Sequence, residues 1–353
     1  MYIVYYKQNW FIINNIGEKK LKNVFDKLIE RAKQTQKRIV LTETEDSRVL
    51  EAAGKAASIG LCKVILLGKE SELASNYTPE MLKNIEFVDV SENNLKKDVY
   101  ADTLFELRKA KGMTEEQAKA QVNNKLVYAM LMLRLGDADG VVSGAITHTA
   151  DVLRPAFQIV KTKPGVKKVS SVFIMGSPDA EKYGENGFLV FSDCGVNPNP
   201  TDEDLAEITI LASETAKKIC GITPRVAMLT YSSKSGDEMS DESVCKVKRA
   251  LKMVKERAPE LVVDGELQAD AALVKSVADQ KAPGSPVEGR ANVLIFPDLN
   301  AGNIAYKLVQ RLAGVKAIGP VLQGLNQPVN DLSRGTNSDE IVLDMAVTIL
   351  QSL

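Results

Sequence analysis

Ser143 and Gly144, followed by Thr147 and Thr149 where a helix opens, form the most chemically suggestive turn in this 353-residue chain. Hydroxyls, backbone amides and a helix N-terminus within one short segment suit an anion. The same turn would also serve merely to cap a helix, as strand-to-helix turns do throughout α/β proteins. Other polar clusters stand at LTETEDSR (41–48), FSDCGVNPNP (191–200), LTYSSKSGD (229–237), VDGELQADAA (263–272), KAPGSPVEGRANVLIFPDLNAGNIAYKLVQR (281–311) and GPVLQGLNQPVNDLSRGTNSDE (319–340). No GxGxxG follows the first strand and no GxxxxGK[ST] occurs, which argues against dinucleotide and P-loop chemistry. His148 is the single histidine, which speaks against a His-rich metal centre and against most His-based triads. Cys62, Cys194, Cys220 and Cys245 lack a CxxC pair, the usage of reduced intracellular thiols. Asp264, Glu266 and Asp270 read as structural acids rather than a magnesium site, so no metal is expected.

These clusters sit at the ends of apolar runs. From Leu21 the sequence alternates amphipathic helices with short apolar strands: RIVLT (38–42), KVILLG (63–68), IEFVDV, GVVSG (140–144), KVSSVFIM, GFLVF, RVAML (225–229), ANVLIF (291–296) and VKAIG (315–319). Helices are expected over 99–110, 114–135, 202–219, 241–256, 267–278, 302–313 and 338–352. Such wiring predicts parallel or mixed sheets covered by helices, with ligands beyond the carboxyl ends of the strands. The break at KTKPGVKK (161–168) and the Gly319-Pro320 pair suggest one α/β domain from 21–165 plus 320–353 and a second from 166–319.

Composition narrows the function further. With 44% hydrophobic and 26% charged residues the chain is an ordinary globular one, and a formal charge of -1 denies it the cationic field of a nucleic-acid binder. No run of 18 uninterrupted apolar residues occurs, and the N-terminus lacks a signal-peptide cleavage pattern, so a cytoplasmic protein without membrane contact is expected. Residues 1–20 hold the only Trp and three of the nine Tyr, and read as an appendage to the body.

Five blocks in order, LTETEDSRVLEAA, VSGAITHTADVLRPAFQIVKT, DGELQADAA, KAPGSPVEGRANVLIFPDLNAGNIAYKLVQRLAG and NDLSRG, make the chain from Leu21 to its C-terminus resemble the phosphate acetyltransferase (phosphotransacetylase) family. The resemblance implies two α/β domains around a cleft, in a fold similar to isocitrate and isopropylmalate dehydrogenases. It also implies a homodimer that transfers acetyl reversibly between acetyl phosphate and coenzyme A, a substrate rather than a cofactor, in a ternary complex. Carried over by motif, the anion-binding arginines fall on Arg108, Arg154, Arg311 and Arg334. A planar guanidinium suits phosphoryl oxygens because it donates two parallel hydrogen bonds and stays charged. Ser333 matches a serine that hydrogen-bonds the thiol and the developing oxyanion. The general base falls on Glu340, where the family usually has Asp, with Asp339 as the neighbouring alternative. Against that role, Asn337 followed by Glu340 has the spacing of a capping box. Ser143 and Thr147 remain the expected substrate-binding hydroxyls, His148 a structural residue and Cys194 a buried thiol. Where some family members carry a reactive cysteine this chain has Ala180. The competing readings are an acyltransferase that prefers butyryl phosphate, a non-catalytic acyl-CoA sensing module and a decarboxylating dehydrogenase on the similar fold.

Overall fold

A computed structural model describes residues 24–92, 95–176, 183–236 and 240–353. The chain divides into two compact units, one comprising Leu28–Val169 with Gly319–Leu353 and the other Ser170–Ile318 with residues 24–27. The expectation for residues 1–20 lies outside the described residues.

With strands numbered along the chain, the first unit holds β1 (Arg38–Leu41), β2 (Lys63–Leu67), β3 (Ile85–Val88), β4 (Gly140–Ser143) and β11 (Val329–Asp331). They lie in the order β11-β4-β1-β2-β3 and pair in parallel throughout. RIVL, KVILL and GVVS are buried almost end to end, as strands covered on both faces must be. Part of the cover comes from the helix Ser338–Gln351, whose residues from Ile341 to Leu350 are buried on every side.

β11 was not expected from the sequence, because Asn330 and Asp331 interrupt its apolar pattern. Asn330 is buried nonetheless: its amide donates to Thr348 Oγ1 at 2.7 Å and Gln351 Oε1 at 2.6 Å, and its carbonyl oxygen accepts from Leu322 N at 2.9 Å. Full satisfaction of the amide removes the burial penalty that makes Asn rare in strands. The single helix expected over 114–135 is two, Glu115–Gln121 and Lys125–Leu135. The side chain of Asn124 accepts from the N–H groups of Leu126 and Val127 and so starts a new helix.

The other unit holds β5 (Ser170–Gly176), β6 (Phe188–Ser192), β7 (Arg225–Leu229), β8 (Val262–Leu267), β9 (Val293–Ile295) and the start of β10 (Lys316–Gln323), in the order β10-β5-β6-β9-β7-β8. β5 and β6 are antiparallel, while β6, β9, β7 and β8 pair in parallel, so this sheet is mixed. β8 takes in DGEL, the start of a polar cluster for which the sequence predicts no strand. It displaces the helix expected over 267–278 into Ala269–Leu273 and Lys275–Lys281. Phe173 stacks on Tyr306 of the helix Leu299–Leu312 with ring centroids 3.8 Å apart, joining helix to sheet. No helix among the described residues is long and apolar enough to cross a membrane.

Candidate active site

The carboxyl ends of β1, β4 and β11 lie side by side, and the segments leaving them are cross-linked by charge. Glu43, two residues beyond β1 and 5% exposed, accepts from four successive amides of the turn after β4. Gly144 and Ala145 donate to Oε2 at 2.8 and 2.7 Å, Ile146 and Thr147 to Oε1 at 3.1 and 2.8 Å. The amide cradle that sequence reading offered to a substrate anion therefore already holds the chain's own carboxylate. Ser143 is 1% exposed, and its hydroxyl lies 2.6 Å from that of Thr42. With hydrogen bonds to a charged group worth about 1.5–3 kcal/mol each, this turn is rigid.

Arg48, at the head of the helix Ser47–Ser58, fixes the segment leaving β11. Its guanidinium donates to the carbonyls of Arg334 (2.8 Å), Thr336 (2.9 Å) and Ala145 (3.0 Å). Asp46 holds Arg48 in an ion pair at 2.6 Å, and the Arg48 hydrogen bond keeps the Asp46 carboxyl below the usual range. Leu332 N donates to Ser143 O at 2.7 Å, and Thr336 N to Ser333 O at 2.9 Å. Ser333 and Arg334 are left exposed on a backbone held from three directions. Among the described residues the Arg334 guanidinium has no hydrogen bond or ion pair, so its charge is available to an incoming anion.

The helix that follows opens on the expected capping box. Asn337 Oδ1 accepts from Asp339 N at 3.1 Å and Glu340 N at 3.0 Å, and Glu340 Oε2 accepts from Asn337 N at 3.3 Å. Glu340 also accepts from the Thr336 hydroxyl at 3.1 Å. Asp339 points elsewhere, into an ion pair with Lys55 at 2.6 Å.

Asp331, a member of the NDLSRG block to which the sequence assigns no role, ends β11 at 2% exposure. Thr149 Oγ1 donates to its Oδ2 at 2.6 Å, while Oδ1 is buried without a partner. Burial and, behind it, the charge of Glu43 push its carboxyl up to about 7, against the opposing pull of the Thr149 hydrogen bond and Arg334. Glu43 and Arg48 were visible only as members of a polar cluster. An acid just past a buried strand followed by Asp-Ser-Arg at a helix head was the available signal; the partners are remote in sequence.

The remaining expected residues are placed more loosely. Arg108 ends the helix Leu95–Arg108, half-buried, with Nε shut away from water and without a partner. Arg154 is exposed and ion-paired to Asp151 at 3.2 Å, one turn away on its own helix. Arg311 is exposed on the Leu299–Leu312 helix of the other unit. Thr147 is half-buried, and His148 caps the helix Thr149–Pro155 without a side-chain bond. The Cys194 thiol is fully buried, and desolvation, then Asp193, pushes it well above the usual thiol range. Ala180 lies outside the described residues.

A parallel sheet whose carboxyl edge presents an unpaired arginine, a serine hydroxyl and carboxylates is the arrangement of an α/β enzyme acting on an anionic substrate. The chain belongs to the phosphate acetyl/butaryl transferase family, whose model matches residues 23–349. It is 50% identical over 330 residues to the phosphate acetyltransferase of Thermoanaerobacterium thermosaccharolyticum, covering 94% of this chain and 99% of the relative. A phosphotransacetylase structure from Streptococcus pyogenes superposes with a TM-score of 0.86 at 39% identity, over 94% of this chain and 98% of that one. The fold, though not the sequence, extends to 4-hydroxythreonine-4-phosphate dehydrogenase from Klebsiella pneumoniae, with a TM-score of 0.51 at 11% identity over 90% of this chain and all of that one.

Proposed function

We propose that this chain catalyses the reversible transfer of acetyl between acetyl phosphate and coenzyme A, giving acetyl-CoA and phosphate. The observation that carries the reading is the unpaired Arg334 guanidinium beside the Ser333 hydroxyl, in a chain half identical to phosphate acetyltransferases. The CoA sulfur forms a bond to the acetyl carbon and the C–O bond to phosphate breaks. Arg334 neutralises the leaving phosphate with charge-assisted hydrogen bonds, and Ser333 donates to the tetrahedral oxyanion. The thiol proton passes to a carboxylate at the head of the Ser338–Gln351 helix, Glu340 before Asp339, because Asp339 is engaged by Lys55. In this reading Ser333 is a donor rather than the nucleophile: its Oγ accepts from Gly335 N at 3.4 Å, and among the described residues no base is hydrogen-bonded to it.

Arg108, Arg154 and Arg311 are assigned to the anionic groups of the substrates, with the buried Nε of Arg108 the strongest support among them. Ser143 and Thr147 serve the site from behind, through the Glu43-bound turn. CoA enters as a substrate and the chemistry requires no cofactor. A cytoplasmic homodimer completes the proposal. Ile304, Leu308 and Leu312, at 57%, 52% and 82% exposure, recur at four-residue spacing on one helix and form the apolar stripe a second copy would cover. The test is CoA-dependent loss of acetyl phosphate with thioester formation, run beside butyryl phosphate. Faster turnover of the acetyl substrate is expected, and no turnover of either by folded protein would overturn the reading.

A further inference from the structure

Asp331 stands behind the proposed phosphate ligand rather than in it. Its Oδ2 is held by the Thr149 hydroxyl at 2.6 Å, and its Oδ1 faces Gly144, where φ is +111° and an added Cβ would run into Oδ1 and Leu332 N. The backbone N–H of Leu332 donates to Ser143 O at 2.7 Å. The carboxyl therefore fills the joint between the turn after β4 and the segment bearing Ser333 and Arg334. A buried polar oxygen with no donor is costly and rarely retained without a role.

The charged groups facing this joint are Glu43, whose carboxyl accepts from four amides, and Arg334, three residues ahead. From the Ser338–Gln351 helix, packed on β11, come Asp339, paired with Lys55, Glu340 in the capping box, and the buried Asp344. The helix opened by Thr149 carries Asp151, paired with Arg154, and follows His148.

We propose that Asp331 is a positioning residue of the acyl-phosphate subsite: it ties the Gly144–Thr149 turn to the Leu332–Arg334 segment through the Thr149 hydroxyl, and it takes up a proton when an anion binds at Arg334. The proposal rests on Arg334 being the phosphate ligand. In the unliganded protein Arg334 favours the ionised carboxyl, while burial and Glu43 oppose it, leaving it poised near 7. A phosphoryl dianion at Arg334 cancels that attraction and adds repulsion, so the proton affinity of Asp331 rises. Linkage requires the reciprocal effect: the anion binds more tightly when Asp331 is neutral.

The test is the KM for acetyl phosphate from pH 6 to 8.5 at saturating CoA, with kcat followed separately because ionisation of the CoA thiol acts there. The wild-type KM is expected to rise about three- to tenfold over this range. Asp331→Asn should flatten the rise. Thr149→Val removes a hydrogen bond that favours the ionised carboxyl, and should move the rise to higher pH. A wild-type rise retained in Asp331→Asn, or a wild-type KM flat across the range, overturns the proposal. Should Asp331→Asn fail to fold, an unshifted rise in Thr149→Val overturns it equally. Arg334→Ala separates the two readings: an unchanged KM there overturns the Arg334 assignment and this proposal with it. A raised KM there with the pH dependence intact in Asp331→Asn overturns the role of Asp331 alone.

Discussion

Arg334 differs from Arg154 and Arg48 by what it lacks among the described residues. Arg154 has Asp151 and Arg48 has Asp46, whereas the Arg334 side chain stands free on a clamped backbone. Arg334→Ala should therefore cost about 3 kcal/mol of transition-state stabilisation, the scale of losing one preorganised charged donor, with little change in melting temperature. Near-normal turnover by the folded variant would remove it from the site. Asp331 makes the opposite trade. Its carboxyl is raised from 3.8 to about 7 in the folded chain, so the folded state binds more protons than the unfolded one through that interval. The stability this group contributes is present below pH 4 and is lost as pH rises through 7, a swing on the order of 2–4 kcal/mol. Asp331→Asn does not ionise, so its melting temperature relative to wild type should be higher at pH 8 than at pH 5. An equal offset at both pH values would show that the carboxyl does not titrate in this window.

At the scale of elements, the head of the Ser338–Gln351 helix has two duties that a substitution can separate. Glu340 closes the capping box, a purely structural task that Gln performs as well. If Glu340 also accepts the thiol proton, Glu340→Gln should lower kcat by about 10² to 10⁴ with melting temperature and CoA binding nearly unchanged. Asp339→Asn is the matched control: it loses the exposed pair with Lys55, a contact worth under about 1 kcal/mol. Loss of turnover in Asp339→Asn with activity kept in Glu340→Gln would transfer the role by one residue. The three carboxyl-edge segments matter together here. The turn after β4 is fixed by Glu43, and the segment after β11 by Arg48, so Ser333 and Arg334 are presented by rigid neighbours rather than by a free loop.

At the scale of the whole molecule the proposed homodimer can be tested. Leu308→Glu on the exposed Ile304–Leu308–Leu312 stripe should convert a dimer into monomers, read by light scattering or sedimentation, because a buried carboxylate without a partner costs several kcal/mol across an interface. A dimer that survives the change would place the contact elsewhere. By itself the sequence determined the α/β wiring, since apolar strands such as KVILL and RVAML state their burial locally through their own hydropathy. It also determined the capping box, a contact between residues three apart, and through the ordered motif blocks the family. Tertiary structure decided the rest. β11 is a strand because Thr348, Gln351 and Leu322 satisfy Asn330, and Glu43 fills an apparent anion cradle from 101 residues away. Asp331 meets Thr149 across 182 residues. Hydrogen bonds between groups so distant in sequence leave no periodic or local trace, and they are what turned a row of polar residues into a clamped segment presenting Arg334, an occupied cradle and a poised carboxyl.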